Sequence, residues 1–280
     1  MGLIDQVIDS YKLWLEVKAP DHRKEFLHRL TASPEAARAE AAVFGLLRKC
    51  RLNPRPGEVI GQGGPDFICE PASADAFIVE VTALSPDAVS AKSRLPHREK
   101  ANHVGWFDRI TTSLLREAIN KTPQLANYPM PRLLVLATEH EGAALLMNAR
   151  SAEELLTGTT MISGRIGDLA GDLKTTTYLS NSVFCRLGAD GVEPARQSIS
   201  AILLASITEG SISVIGLLHP EPAIAFSPAV FARVHFVRFA TWPIRAGHPL
   251  RTEWIGPTPE TTFYEHSAFT FNEPELRSLE

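Results

Sequence analysis

The chain of 280 residues carries 28 Lys and Arg against 32 Asp and Glu, a net charge of −4, with 44% hydrophobic and 21% charged residues. This balance is ordinary for a globular fold and gives no chain-wide basic field of the kind that draws in polyanions. It also supplies no apolar run near the roughly 20 residues that a bilayer-spanning helix needs. Cys50, Cys69 and Cys185 are widely spaced and odd in number, and the nine His show no paired metal-ligand spacing. A disulfide framework or a zinc site is therefore not expected, and any metal would be held by carboxylates. Asp5 and Asp9 stand where a signal peptide would be basic and then apolar, and Gln6 departs from the myristoylation pattern. A cytoplasmic protein is expected.

Residues 3–30 read as two short amphipathic helices broken at "KAPDH". Ser33-Pro34 then has the form of a helix start, Ser at the N-cap and Pro at the first helical position, for a helix running to about Arg51. A Gly/Pro-rich stretch follows, then strands at about 65–70 and 77–84 around the turn "EPASAD". Residues 85–102 read as a polar, basic loop, and a helix is expected over about 103–121. "PRLLVLATEH" is a buried strand, and "SAEELLTG" a short helix stopped by Gly158. Residues 159–195 carry the weakest periodicity. "ISAILLASI" and "SISVIGLLH" read as a hairpin, "VHFVRFATW" as a further strand, and the Pro- and His-rich tail after Pro243 as a surface wrap. The order predicts an α/β fold, a mixed sheet flanked by helices, in a single domain. Residues 1–33 would be a helical extension, 34–138 the core and 139–280 a β-rich elaboration.

Three carboxylates stand out. Ala36, Val43, Phe44 and Leu47 fall within about 60° of Glu40 on a helix that advances about 100° per residue, so Glu40 lies in the middle of the core-facing stripe. A carboxylate there needs an Arg partner, a hydrogen-bond donor or a metal. In "FIVEVTAL" alternation puts Ile78, Glu80, Thr82 and Leu84 on one face, opposite an apolar one. That face either looks to solvent from an edge strand or holds a polar site. Asp66 opens the preceding strand, and hairpin pairing around residues 70–75 would bring it beside Glu80. Two carboxylates and water suffice for Mg²⁺. Residues 88–124 hold seven basic side chains (Lys92, Arg94, Arg98, Lys100, Arg109, Arg116, Lys121) against three acidic, a local +4. They form either a solvated face or a set of phosphate contacts.

The succession of a helix Glu (Glu40), Pro65-Asp66, and Glu80-Val81-Thr82 on a strand, with a basic and amide-bearing helix after it, resembles the signature of the PD-(D/E)XK nuclease superfamily. The resemblance covers residues 34 to about 138. It implies a restriction-endonuclease-like core and phosphodiester cleavage of DNA or RNA dependent on Mg²⁺ or Mn²⁺. By the same resemblance Asp66, Glu80 and the Val81 carbonyl would ligate the metal, and Glu40 would be an accessory acid. The chain departs from the pattern at Thr82, where the family has Lys. Family members relocate that Lys to a neighbouring helix, which points to Lys121, on the inward side of its helix; a helix-capping role is the alternative. Lys92, Lys100, Arg109, Arg116 and Gln124 would contact nucleic acid or orient water. A degenerate module that binds nucleic acid or a protein partner without cutting is the other function that Thr82 allows. No phosphate-binding glycine loop and no nucleophile elbow accompany these residues: "GQGG" at 61–64 precedes a strand, where it would let the chain approach the site closely.

Overall fold

Period-2 alternation decides how the central strands are covered. The computed structural model describes residues 2–94, 107–144, 147–163, 174–179, 182–189, 191–208, 210–245 and 250–255. The N-terminal helices are α1 (Leu3–Lys18), α2 (Pro20–Ala32) and α3 (Pro34–Lys49). After them come β1 (Pro54–Pro56), β2 (Phe67–Cys69), β3 (Phe77–Leu84), α4 (Pro86–Ser93), α5 (Phe107–Leu125) and β4 (Arg132–Thr138). The remainder holds α6 (Glu141–Ala144), α7 (Ala149–Thr157), β5 (Thr159–Ser163), β6 (Lys174–Tyr178), β7 (Cys185–Leu187), β8 (Val192–Pro194), β9 (Ala201–Ile207), β10 (Ile212–Leu218), β11 (His235–Phe239) and β12 (Thr252–Ile255).

Eight strands form one mixed sheet in the order β1-β2-β3-β4-β9-β10-β11-β12. The β2–β3 pair is antiparallel and β3–β4 parallel, with α5 in the crossover, as a parallel connection requires. The expected hairpin is β9–β10, antiparallel from Ile207↔Ile212 to Ala201↔Leu218. β5–β6 and β7–β8 are separate two-stranded sheets.

Phe77 and Val79 of β3, Leu133 and Val135 of β4, and Leu203 of β9 face α1, α2 and α3. Ile78, Leu134, Leu136, Ile202 and Leu204 face α5 and α7. Each such side chain, when fully buried, stabilises the fold by about 1.5–3 kcal/mol. Tyr11 centres the aromatic packing on the first face, with ring centroids 4.4 Å from Phe44 and 4.9 Å from Phe26.

Three local expectations need correction. Residues 86–93 are helical, not loop: Ser85 accepts a hydrogen bond from the Ala88 amide at 3.2 Å and Pro86 follows at the first helical position. Ser33 is the N-cap of α3 and Pro34 its first residue, as expected, although the Ser33 side chain makes no capping hydrogen bond among the described residues. That helix ends at Lys49, because Arg51 and Asn53 take positive φ of 59° and 47°. In the C-terminal tail, Thr252–Ile255 add an edge strand to β11, while residues 246–249 and 256–280 lie outside the described residues. No helix among the described residues is long and apolar enough to cross a membrane.

Candidate functional site

The β2–β3 ladder stops at Phe67↔Val79. The next residues in register are Asp66 and Glu80, where the two strands part. Alternation points the backbone of odd-numbered β3 residues at β2 and of even-numbered ones at β4; the Ile78 amide, for example, donates to the Pro131 carbonyl at 3.0 Å. Val81 thus turns its amide and carbonyl to an edge that β2 has left. Its N–H donates to Asp66 Oδ2 at 2.7 Å. The expected meeting of Asp66 and Glu80 is present, and the Val81 carbonyl opens on the same edge.

Glu80 is buried on the α5 side. Lys121 of α5 donates from Nζ to Glu80 Oε1 at 2.7 Å and to Gln124 Oε1 at 3.1 Å, and Gln124 Nε2 donates to Glu80 Oε1 at 3.2 Å. Lys121 therefore points into the site instead of only capping its helix. Among the described residues the hydrogen bonds on Glu80 fall on Oε1. Thr82, two residues on, has a buried Oγ1 with no hydrogen-bond partner among the described residues. It supplies neither the charge of the family's Lys nor a bond to any of these groups.

Glu40 is buried on the opposite face of the sheet. The Tyr11 hydroxyl donates to its Oε1 at 2.9 Å, and Arg29 Nη2 lies 3.0 Å from Oε2 and 3.2 Å from Oε1. The Arg pair and the hydrogen-bonded site foreseen as alternatives for this Glu coexist. Arg29 Nη1 also lies 3.8 Å from Glu58 Oε2 and 4.0 Å from Asp66 Oδ1. Tyr11, Arg29 and Glu58 were not singled out by the sequence pattern. One signal was there for Arg29: it follows Phe26, the buried residue of α2, by one helical turn, so the inward stripe of α2 ends in a cation.

Charge packing perturbs these groups. Burial pushes the Asp66 carboxyl well above the usual carboxylate range, and the neighbouring Glu80 and Glu40 push it further, against the opposing pull of the Val81 amide and Arg29. Burial likewise raises Glu40, with Arg29 and the Tyr11 hydroxyl opposing. Burial and then Glu40 raise the Tyr11 phenol well above its ordinary value.

The loop before Asp66 is built to let the chain close on it. Gly64 has φ +152°, and a Cβ there would lie 2.7 Å from the Gly57 carbonyl oxygen and 2.9 Å from the Glu58 Cα. Gly57 in turn donates its amide to the Asp66 carbonyl at 3.1 Å. Gly64→Ala is expected to cost about 1–3 kcal/mol in backbone strain, near 2–4 °C of melting temperature for each kcal/mol at this size. A thermal melt equal to wild type would contradict this.

Among the described residues no other basic side chain of the 88–124 segment is joined to this cluster. Arg116 is exposed on α5, and Lys92 belongs to α4, its side chain outside the described part. The Arg109 backbone is in α5 while its side chain, like the whole of Lys100, lies outside the described residues. Among the described residues no three His, Cys, Asp or Glu side chains form a ready-made metal cage. Asp66 and Glu80 with the Val81 carbonyl nevertheless match the sparse oxygen set that Mg²⁺ takes, the rest being water. Comparison with protein-family models, with curated proteins and with solved structures finds no match for the chain.

Proposed function

We propose that the protein is a divalent-metal-dependent nuclease of the PD-(D/E)XK type, hydrolysing phosphodiester bonds of DNA or RNA, with the motif Lys relocated to Lys121. The observation that carries this reading is Lys121 Nζ at 2.7 Å from Glu80, in a chain whose motif position is Thr82. The succession α3, β2, β3, α5, β4, with β2–β3 antiparallel and β3–β4 parallel, supports a restriction-endonuclease-like core over 34–138.

Asp66, Glu80 and the Val81 carbonyl would hold Mg²⁺ or Mn²⁺. Bound there, the ion would lower the pKa of a coordinated water and stabilise charge on the phosphate. Charge supports the assignment: among the described residues the carboxylates of Glu40, Glu58, Asp66 and Glu80 outnumber the cations that face them, Arg29 and Lys121. Lys121 brings a fixed ammonium to the edge where water and phosphate meet, and Gln124 fixes the ammonium's direction. In the reaction one bond forms between water oxygen and phosphorus and one P–O bond breaks, with the proton passing to the departing oxygen.

The test is cleavage of labelled single- and double-stranded DNA and RNA with Mg²⁺ or Mn²⁺, wild type beside Glu80→Gln. Cutting by the wild type that Glu80→Gln abolishes is the expected result. Intact substrate with folded wild type on every nucleic acid would sink the reading in favour of a module that binds without cleaving.

A further inference from the structure

We propose that Arg29 is a catalytic residue of the same reaction, its guanidinium hydrogen-bonding a non-bridging oxygen of the scissile phosphate. This rests on the nuclease reading above and extends it to α2, which lies outside the motif-bearing segment. Only one nitrogen of the guanidinium is saturated. Nη2 is held by Glu40, which Tyr11 fixes in turn. Nη1 stands 3.8 Å from Glu58 and 4.0 Å from Asp66, ion-pair distances too long for hydrogen bonds, and Nε has no hydrogen-bond partner among the described residues. An Arg kept only to neutralise Glu40 has no need to extend its second amino group towards Asp66.

The side chain is 29% exposed, so a substrate can reach it. Arg29 comes from the face of the sheet covered by α1, α2 and α3, and Lys121 from the face covered by α5. A phosphate seated at Asp66 would lie between the two. The planar fork of Arg suits phosphate oxygens, and its charge is permanent. Arg29 transfers no proton. It stabilises negative charge on the non-bridging oxygens while the water–phosphorus bond forms and the bond to the departing oxygen breaks.

The experiment measures two quantities for wild type, Arg29→Gln, Glu40→Gln and the double variant Arg29→Gln/Glu40→Gln. One is the single-turnover cleavage rate with Mn²⁺. The other is the salt dependence of binding to a fluorescein-labelled DNA duplex and single strand, with Ca²⁺ replacing Mn²⁺ and the substrate checked to be intact. Arg29→Gln is expected to slow cleavage about 10²–10³-fold. It should also flatten the slope of log affinity against log salt by about 0.9 for duplex or 0.7 for single strand. The double variant neutralises Glu40, the carboxylate that Arg29 holds most closely, so it reports even if Arg29→Gln does not fold. It should match Arg29→Gln in both readouts. A slope in the double variant equal to that of Glu40→Gln, or a rate within threefold of it, overturns the proposal. A wild type that cuts nothing overturns the catalytic assignment together with the nuclease reading, whereas a cutting wild type with an unchanged slope overturns Arg29 alone.

Discussion

Lys121→Met is expected to slow the proposed cleavage about 10²–10³-fold, the loss typical when one preorganised donor at an anionic transition state is removed. The ammonium lies on Glu80 at 2.7 Å, and Gln124 braces it. Lys121→Arg keeps the charge on a longer, planar head and should recover part of the rate. The more discriminating variant is Thr82→Lys in the Lys121→Met background. Alternation puts residue 82 on the same face of β3 as Glu80, so an ammonium restored there re-enters the site from the strand. Recovery of at least tenfold by the double variant would identify the two positions as alternative sources of one charge. Lys121→Met also strips Glu80 of its ion pair, so melting curves must accompany the rates. A folded Lys121→Met that cuts within threefold of wild type would end the assignment of Lys121.

The sequence and the structure agree wherever a local rule dominates. Glu40 could be placed on the inward stripe of its helix because neighbours three and four apart share a face. The approach of Asp66 to Glu80 followed from hairpin register, and the inward turn of Lys121 from its position on the inward side of its helix. The helix of residues 86–93 carries the same Ser-Pro start that marked α3, but the basic residues after it made the whole stretch read as loop. β1 went unseen because Pro54 and Pro56 argue against a strand; both are tolerated there because β1 is short and forms one edge of the sheet. Tyr11 and Glu58 were illegible for a different reason, and the helical phase of Arg29 said only that it faces inward. The three come from α1, α2 and the loop after β1, and what unites them is the way those segments fold over the β2–β3 edge. No spacing rule encodes that.

The same edge explains why the site should be a liability to the fold until a cation fills it. Asp66 holds its proton to higher pH in the native state than in the unfolded chain, because burial and the Glu80 and Glu40 carboxylates disfavour its charge. The native state then binds more protons across the window between the unfolded and folded pKa values, so stability falls as pH rises through that window. Glu40, raised by burial, acts in the same direction. Asp66→Asn removes the charge and keeps an oxygen for the Val81 amide. Without metal it is expected to melt with wild type in acid below the ordinary Asp pKa of about 3.9. Above wild-type Asp66's folded pKa it should melt higher, by about 2–4 °C for each kcal/mol of repulsion relieved.

Mn²⁺ reverses the comparison. An ion that binds only the folded state stabilises it by about 2.7 kcal/mol at a hundred times its dissociation constant. Wild type should gain this and Asp66→Asn should not. The variant would thus be the more stable apoprotein, unresponsive to metal and inactive. Two melting series against pH, with and without Mn²⁺, measure all of it. Equal metal responses in the two proteins, or an Asp66→Asn no more stable than wild type at neutral pH without metal, would show that the carboxylates at this edge are not held apart for a cation.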